Sequence, residues 1–268
     1  MGKIVEIRDL SFSYGNVSVF KNLNLEIKTG TFCTILGSSG SGKSTLARIL
    51  YRLEPISGYV KIFDLFSNSK NALEICKSIG FLSEQSIQQF VADTVFKEIS
   101  FSLLEYRKMK TVEKEVRKIA SSLEIEDLLF RNPKTLSVGE KQIVSLASIL
   151  VRNPSLLILD DSFSMIDSYR KKHIFTVIRN YCEEKKVTVL HFTSCTEDVL
   201  WGKEIVILGE EKVIFHKKLE EALQCEREFS SNHLELPFLS NLSNKLLYYK
   251  IITDYYIDEN KLVNALWK

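Results

Sequence analysis

The chain is poor in several features that mark common protein classes. Proline occurs 4 times and glycine 11 times in 268 residues, and we find neither a low-complexity linker nor an internal repeat. The 5 cysteines are scattered and form no Cys-x-x-Cys pair. Neither a zinc site nor a disulfide framework is therefore predicted, and free thiols in a reducing cytosol are expected.

Long apolar runs and a strong charge of one sign are also lacking. No apolar run approaches the roughly 20 residues needed to cross a bilayer, and the first residues alternate instead of forming a signal-peptide block. The net charge of +2 gives no general attraction to nucleic acid or anionic lipid. With 45% apolar and 26% charged residues, the chain is expected to be globular, and any membrane role is expected to be peripheral.

Hydrophobic patterns predict alternating strands and helices. The first thirty residues resemble an antiparallel sheet, and buried strands are predicted at 31–36, 156–159 and 187–192. Helices are predicted at 44–52, 112–123, 143–151 and about 169–184, and a hairpin at 205–216. This alternation indicates a mostly parallel sheet covered by helices, which binds ligands at the carboxyl ends of its strands. The chain from Asn232 onward carries no such alternation and is expected to form a small appendage.

A phosphate-binding loop is the first functional motif. The stretch Gly37–Ser44, GSSGSGKS, matches GxxxxGK[ST] between a strand and a helix. Its glycines let backbone N–H groups converge on phosphate oxygens, and the helix adds its positive end. Lys43 would neutralise the outer phosphates, and the Ser44 hydroxyl would ligate Mg²⁺. The residues expected to bind the nucleotide here are Gly37, Ser38, Ser39, Gly40, Ser41, Gly42, Lys43, Ser44 and Thr45.

A carboxylate pair is the second motif. Four apolar residues, 156–159, lead directly into Asp160 and Asp161. In P-loop nucleotide hydrolases an acidic residue at the end of a buried strand holds Mg²⁺. Asp160 is therefore the predicted second protein ligand of the metal, beside Ser44.

Three further segments resemble motifs of ABC-transporter ATPases. The stretch 136–142, LSVGEKQ, resembles their LSGGQ signature, and 164–167, SMID, resembles their D-loop. Phe12-Ser-Tyr14 resembles the aromatic A-loop, in which Tyr14 would stack on adenine. The order and spacing of these motifs agree with the family over residues 1 to about 225.

Within that family the chain is most similar to the ATP-binding subunits of energy-coupling-factor (ECF) transporters. The segments that carry this likeness are 89–95 (QFVADTV, similar to QFVGATV), 161–167 (DSFSMID, similar to ESTSMLD), 234–238 (LELPF, similar to LDIPF) and 259–267 (ENKLVNALW, similar to EKLVQSLW). The likeness therefore covers nearly the whole chain.

The resemblance implies an architecture and a set of ligands and partners. It implies an α/β P-loop NTPase fold of the ABC ATPase type, with a mostly parallel core sheet and an N-terminal antiparallel β subdomain. The ATP-binding domain would span 1–225, with a helical signature subdomain at about 86–153, and a C-terminal subdomain would span 226–268. ATP and Mg²⁺ are the implied ligands. The implied partners are a second ABC ATPase subunit, in a hetero- or homodimer, a transmembrane coupling subunit and a substrate-binding membrane subunit, with no nucleic acid.

The same resemblance places the chain on the cytoplasmic side of the cell membrane as a peripheral subunit of an importer for a vitamin or metal ion. In such transporters the segment 84–101 would receive the membrane subunit. Phe90, Val91, Phe96 and Phe101 would form a hydrophobic seat there, with Glu84, Asp93 and Glu98 as flanking carboxylates. The alternative is that Phe96 and Phe101 belong only to the core.

Several positions depart from the family pattern. Asp161 stands where a glutamate positions the attacking water, and it is shorter by one methylene. Glu84 stands at the Q-loop glutamine, with Gln85 one place later, and Ser194 replaces the switch histidine. His191, on the preceding strand, is a candidate stand-in that is expected to point to the other face.

The signature departs as well. Val138 replaces its first glycine and Glu140 its glutamine, while Ser137 and Gly139 could still present a hydroxyl and an N–H to phosphate. Glu140 places negative charge near that phosphate. These changes favour a weakened hydrolytic site in an asymmetric dimer.

Several readings stay open. The changes are tolerated swaps in a slow ATPase, or the chain is an essentially non-hydrolytic subunit paired with an active ATPase, or it serves another class of ABC transporter. An ABC protein acting on DNA or ribosomes would need a coiled-coil insertion, tandem halves or a basic face, and a P-loop kinase would lack the signature and D-loop.

Overall fold

A computed structural model describes residues 2–54, 57–68, 70–83, 90–101, 103 and 109–267. The strands in chain order are β1 (Lys3–Tyr14), β2 (Val17–Lys28), β3 (Phe32–Leu36), β4 (Ser57–Ile62), β5 (Leu65–Phe66), β6 (Ile79–Ser83), β7 (Leu156–Asp160), β8 (Thr188–Thr193), β9 (Glu204–Gly209) and β10 (Lys212–Lys218). The helices are α1 (Lys43–Leu50), α2 (Ala72–Ser78), α3 (Val95–Phe101), α4 (Met109–Ser122), α5 (Val138–Leu150), α6 (Ser168–Lys185), α7 (Leu219–Ala222), α8 (Glu226–Ser231), α9 (Phe238–Tyr248) and α10 (Glu259–Leu266).

A six-stranded sheet forms the centre, in the order β10-β9-β3-β8-β7-β6. Neighbouring strands are parallel except for β10, which pairs antiparallel with β9. The apolar run of β7, Leu156 to Leu159, is completely buried because the sheet is covered on both faces. Each such side chain contributes about 1.5–3 kcal/mol of burial free energy. The predicted mostly parallel α/β sheet is confirmed.

A second, antiparallel sheet has the order β2-β1-β4-β5. Its inward residues, such as Val5 and Leu25, share one apolar core with Leu46 and Leu50 of α1 and with Ile158 of β7. Helix α1 therefore connects the two sheets, and the N-terminal antiparallel sheet expected from the family is present.

The other face of the central sheet is covered by helices α3 to α6. Val112 and Val116 of α4 pack in one core with Leu146 of α5, Leu157 of β7 and Phe175 of α6. The apolar stripe read from the sequence at 112–123 is thus the buried face of α4. Among the residues described, no helix is long and apolar enough to cross a membrane.

The C-terminal helices pack onto the edge of the same sheet. Phe229, Leu234 and Leu236 share a core with Ile205 and Ile207 of β9. The segment from Asn232 is helical, as α9 and α10 show, and it adds no strand to either sheet within the described part of the chain.

Some elements differ from the prediction. The pattern missed β6, since Gly80 and Ser83 break its apolar run, yet β6 pairs with β7 through Gly80 and Leu157. The first helix ends at Leu50 instead of residue 52, because Arg52 adopts a φ of 68° that no α-helix accommodates. Helix α5 begins at Val138, five residues before the predicted start, because Ser137 caps it.

Candidate nucleotide-binding site

The parallel register brings three motifs to one edge of the sheet. Leu36, which precedes the phosphate loop, pairs with Thr193, and Phe192 pairs with Asp160. Since β3, β8 and β7 are adjacent and parallel, their carboxyl ends meet at this edge. The phosphate loop, the carboxylates and Ser194 therefore lie side by side, where α/β proteins bind ligands.

The phosphate loop is shaped by its glycines and closed by its lysine. Gly42 has a φ of 91° and caps α1, and a side chain there would approach the Phe20 ring to 2.7 Å. Lys43 is only 6% exposed. Its Nζ donates to the backbone oxygens of Gly37 at 2.8 Å and Ser38 at 2.9 Å. The ammonium thus crosses the mouth of the loop that phosphate oxygens would enter.

Burial in the loop falls toward its tip. Gly37, Lys43 and Thr45 are buried, Ser38, Ser41, Gly42 and Ser44 are half-buried, and Ser39 and Gly40 are exposed. Burial lowers the pKa of Lys43, while the Asp161 and Asp160 carboxylates oppose that change. The two nearby carboxylates therefore favour the charged form of Lys43, and this charge could also attract a phosphate group.

Ser44 and Asp160 meet as the sequence predicts for a metal site. Ser44 Oγ donates to Asp160 Oδ1 at 2.9 Å, although 116 residues separate them. Burial raises the pKa of Asp160, and the Ser44 hydrogen bond opposes that shift. No group of three or more acidic, histidine or cysteine side chains suited to a metal occurs in the described parts of the chain. A hydroxyl plus one carboxylate fits Mg²⁺, which takes one or two protein ligands and completes its shell with phosphate and water.

Asp161 is held back against the sheet. Its backbone has a φ of 43°, and its N–H donates to the Phe192 oxygen at 3.0 Å. Its Oδ1 accepts from the Ser194 N–H at 3.3 Å. The carboxylate is therefore bound to the backbone of Ser194, the residue at which the sequence resemblance predicts a switch histidine.

His191 does not lie at the site edge. It is 2% exposed, and its ring contacts the Phe175 ring at a centroid distance of 4.8 Å. Burial lowers the pKa of His191 to about 4, so it is neutral at physiological pH. Because it faces α6, it points away from the site edge, as the sequence predicted.

The signature is closed on itself by a capping box. Glu140 Oε2 accepts from both the N–H and the hydroxyl of Ser137, each at 2.8 Å, and Ser137 Oγ accepts from the Glu140 N–H at 3.3 Å. The Ser137 N–H chiefly lowers the pKa of Glu140, and Arg131 approaches its Oε1 at 3.4 Å. The Ser137 hydroxyl is therefore already engaged with a carboxylate.

Gly139 and the D-loop are neighbours. A side chain at Gly139 would meet the Met165 oxygen and Ile166 Cγ1 at 3.6 Å, an ordinary van der Waals distance, so this part of the signature packs beside the D-loop. Among the residues described, no hydrogen bond or ion pair joins the signature to the phosphate loop of the same chain.

Tyr14 lies at the hairpin end of β1, 42% exposed. Its ring stands edge-on to Phe12 at 4.9 Å, and its hydroxyl donates to Glu54 Oε1 at 2.8 Å. Phe12 pairs with Phe20, the residue that contacts Gly42, so Tyr14 lies toward the phosphate loop. Nothing in the local sequence indicated the role of Phe20, which depends on strand register.

Glu84 and Gln85 lie outside the described residues. In the neighbouring segment, Val91 is 75% and Phe101 is 66% exposed, whereas Phe96 packs against the core. Phe101 is thus a surface residue, and Phe96 is a partly buried residue at the edge of the core. Glu98 Oε2 accepts from the N–H groups of Val91 and Ala92 at 3.0 and 2.8 Å, so this carboxylate orders its own loop.

Comparison with known proteins identifies the family. The family profile described as ABC transporter matches residues 20–164, which contain the phosphate loop, the signature and both carboxylates. This chain is an ABC-transporter ATPase. The energy-coupling factor transporter ATP-binding protein EcfA1 of Mesomycoplasma hyopneumoniae is 30% identical over 270 residues, covering 99% of this chain and 98% of that protein. EcfA1 of Ligilactobacillus salivarius is 32% identical, with 99% and 96% covered.

Solved structures agree on the fold of this ABC ATPase. CbiO1 from Clostridium perfringens, described as part of the ABC transporter complex CbiONQ, matches with a TM-score of 0.77 at 24% identity. That match covers 91% of this chain and 100% of that one. The ATP-binding cassette MJ0796, in a dimer bound to ADP and Pi, matches with a TM-score of 0.73 at 26% identity over 80% and 98% of the two chains.

Replacing Asp160 with asparagine is expected to raise the melting temperature of the nucleotide-free ABC ATPase near neutral pH. Burial raises the pKa of Asp160, so its ionised form destabilises the fold. The penalty is absent below the ordinary aspartate range and grows as pH rises through the raised pKa. The gain from Asp160→Asn should therefore shrink toward acid pH. Thermal melts from about pH 7 down to about pH 3.5, below the ordinary aspartate pKa of about 3.9, measure it.

The same melts with nucleotide test the metal site. In wild type, Mg²⁺ should add to the stabilisation produced by ATP, and Asp160→Asn should remove that increment. Ser44→Ala is the matched control, since it should also lose the increment without gaining stability in the absence of nucleotide. An equal Mg²⁺ increment in all three proteins would contradict the assignment.

Replacing Glu140 with alanine is expected to cost about 1 kcal/mol, the usual worth of a helix cap, or about 2–4 °C in melting temperature. Because the folded pKa of Glu140 is lowered, its contribution is present above the ordinary glutamate range and is lost as pH falls through the lowered value.

Glu140→Gln is the control, since its amide oxygen still accepts from the Ser137 N–H without titrating. Its stability difference from the alanine variant should not vary with pH. A Glu140→Ala variant as stable as wild type at neutral pH would show that the capping box does not hold α5.

Proposed function

We propose that this chain is the ATP-binding subunit of an ECF-type ABC importer that couples ATP binding and hydrolysis to uptake of a vitamin or metal ion. The contact of Ser44 with Asp160, beside a buried Lys43, is the observation that carries the nucleotide site. The likeness to EcfA1 proteins over 99% of the chain supports the transporter class. We assign 1–225 to the ATP-binding domain, with the signature subdomain at about 86–153, and 226–268 to the C-terminal subdomain.

ATP and Mg²⁺ fit the residues present. The phosphate-loop N–H groups and Lys43 would hold the phosphates, Tyr14 would stack on adenine, and Ser44 with Asp160 would hold Mg²⁺. Bound Mg²⁺ neutralises charge on the phosphate oxygens. Lys43 would exchange its contacts with the loop carbonyls of Gly37 and Ser38 for phosphate oxygens.

Asp161 is proposed as the general base for the attacking water, with reduced efficiency. It is one methylene shorter than glutamate, and its Oδ1 accepts from the Ser194 N–H. A general base must come within about 3 Å of the water. Ser194 lacks an imidazole, so it supplies no second charged contact to the terminal phosphate. Glu84 and Gln85 remain proposed members of this site.

The signature is proposed to act on the phosphate loop of a second ATPase subunit. In that role Ser137 and Gly139 would face the partner's terminal phosphate. The Ser137 hydroxyl is bound to Glu140, whose carboxylate would repel that phosphate. Closure of such a dimer is therefore expected to be weaker on this side than with the usual glutamine.

A second candidate function is an essentially non-hydrolytic nucleotide-binding subunit that works beside an active ATPase. Two hydrogen bonds favour this function. Ser194 binds the Asp161 carboxylate, which would act in hydrolysis, and Glu140 binds the Ser137 hydroxyl, which would act in dimer closure. Neither hydrogen bond involves the phosphate loop. In this reading the dimer is asymmetric, and the partner supplies the competent glutamate and histidine.

The membrane partners are proposed to dock beside α3. Val91 and Phe101 are exposed there, with Phe90 partly buried next to them. Asp93, paired with Lys97 at 2.9 Å, lies on the same surface, and Glu84 belongs to the proposed seat. This surface would receive the transmembrane coupling subunit, which contacts the substrate-binding subunit, so that the chain is peripheral on the cytoplasmic side of the cell membrane.

Replacing Asp161 with the glutamate found in the family pattern is expected to raise the rate of ATP hydrolysis by the full chain. Asp161→Glu should increase the rate of phosphate release by roughly tenfold to a hundredfold, since a misplacement of about 1 Å costs on that order. Asp161→Asn is the matched control and should lower the rate. Both should leave the affinity for Mg²⁺-ATP nearly unchanged, as followed by a fluorescent ATP analogue. A rate that Asp161→Asn leaves unaltered would remove Asp161 from the reaction.

The asymmetric reading is tested in a purified complex of this chain with its partner ATPase. Replacing the partner's catalytic glutamate by glutamine should abolish most turnover, whereas Asp161→Asn should change it little. Near-full activity after the partner substitution would exclude the asymmetric picture and favour this chain as the working ATPase.

A further inference from the structure

An ion pair between a partly buried lysine and a buried aspartate lies next to Thr193, on the side of the sheet covered by α6. Lys171, in the first turn of α6, places Nζ at 2.7 Å from Asp198 Oδ1 and 2.8 Å from Oδ2. The side chain of Asp198 is 7% exposed and that of Lys171 is 19% exposed. Asp198 belongs to the short 3₁₀ helix Thr196–Trp201, which follows β8.

The pair continues into the backbone on both sides of Ser194. Thr193 Oγ1 donates to Asp198 Oδ2 at 3.1 Å and accepts from the Cys195 N–H at 3.0 Å. Ser194, between these two residues, donates its N–H to Asp161 Oδ1 at 3.3 Å. The chain of hydrogen bonds therefore brackets Ser194, whose N–H binds the Asp161 carboxylate.

The other end of this network lies just after the D-loop. Asp167 caps α6 by accepting from the Arg170 N–H at 3.0 Å, and its backbone oxygen accepts from the Lys171 N–H at 2.9 Å. A shift of the D-loop would therefore move the first turn of α6, which contains Lys171, and Asp198 would move with Lys171. The network connects two segments that the sequence places 27 residues apart, Lys171 and Asp198.

Stability alone is a weak reason for this arrangement. Apolar residues of similar volume usually replace a buried ion pair at little or no cost in stability, because the pair must first lose its hydration. His191 Nε2 lies 3.9 Å from Asp198 Oδ2, but the histidine is neutral at physiological pH because burial lowers its pKa to about 4. Lys171 thus balances the charge of Asp198. The pair fixes the Asp198 carboxylate, which in turn fixes the orientation of the Thr193 hydroxyl.

We propose that Lys171, Asp198 and Thr193 are positioning residues that hold the Ser194 N–H, and through it the Asp161 carboxylate, in a fixed relation to α6. None of the three is proposed to contact nucleotide. The inference rests on the proposed ATP site, because it assigns these residues to the segment that faces the terminal phosphate.

The fold supplies a reporter for this network. Trp201 ends the 3₁₀ helix that contains Asp198, and it stacks on Phe175 of α6 at 5.2 Å. The chain has 2 tryptophans, and the other, Trp267, is 86% exposed. In a Trp267→Phe background the emission of Trp201 alone follows the position of the 3₁₀ helix on α6.

The experiment compares Thr193→Val with Thr193→Ser in the full-length Trp267→Phe chain. Valine keeps the shape and removes the hydroxyl, whereas serine keeps the hydroxyl. We measure the affinity for Mg²⁺-ATP with a fluorescent analogue, the rate of phosphate release at saturating ATP, and the Trp201 emission with Mg²⁺-ADP and with a non-hydrolysable ATP analogue.

Thr193→Val is expected to lower the maximal rate by roughly threefold to thirtyfold, the range seen when a coupling network is broken. It should also remove most of the difference in Trp201 emission between the ATP analogue and ADP. Affinity should stay within about twofold, because the substitution changes no residue of the phosphate loop and keeps the Thr193 backbone oxygen, which accepts from the Gly37 N–H at 3.3 Å. Thr193→Ser should retain both the rate and the emission difference.

Should Thr193→Val fail to fold, the paired substitution Lys171→Met with Asp198→Leu removes both charges and carries the same expectations. A Thr193→Val or paired variant with unchanged maximal rate and emission difference would overturn the positioning role and leave the nucleotide site intact. A parent chain that binds no Mg²⁺-ATP would overturn the proposed function and, with it, this inference.

Discussion

The parallel pairing of β3, β8 and β7 is the constraint on which the site depends. The pairs Leu36 with Thr193 and Phe192 with Asp160 fix where each strand ends. A shift of one residue in either pair would turn the strand-end side chains to the opposite face. Ser44 and Asp160 would then lose their hydrogen bond, which joins the beginning of α1 to the end of β7.

The departures from the family pattern are accommodated by local hydrogen bonds. Asp161 binds the Ser194 N–H, and Glu140 binds both groups of Ser137. Each contact lies at the surface, where it replaces a hydrogen bond to water. The same contacts engage the groups that we propose for hydrolysis and dimer closure, and this engagement is the physical basis of the slow turnover that we propose. The phosphate loop shares none of these contacts, which is why we expect binding to survive where turnover weakens.

Much of the architecture followed from the sequence because its signals are local. In each such segment, the pattern of apolar and polar residues shows which side chains are buried. The structure has strands or hairpins where the sequence predicted them, at 156–159, 22–28 and 205–216. Strand β6 was missed because Gly80 and Ser83 interrupt its apolar pattern, and only its pairing with β7 makes it a strand. The start of α5 was missed because the cap at Ser137 lies ahead of the apolar stripe.

The sequence by itself determined the phosphate loop, the family and the identities of the altered residues, since these are properties of residue type and spacing. Tertiary structure alone decided what the altered residues contact. Asp161 and Ser194 are 33 residues apart, and their hydrogen bond exists only because β7 and β8 end together. Burial of His191 against Phe175, and the ion pair between Lys171 and Asp198, likewise arise where α6 packs on the sheet. Contacts between distant segments are set by packing, which no local pattern records.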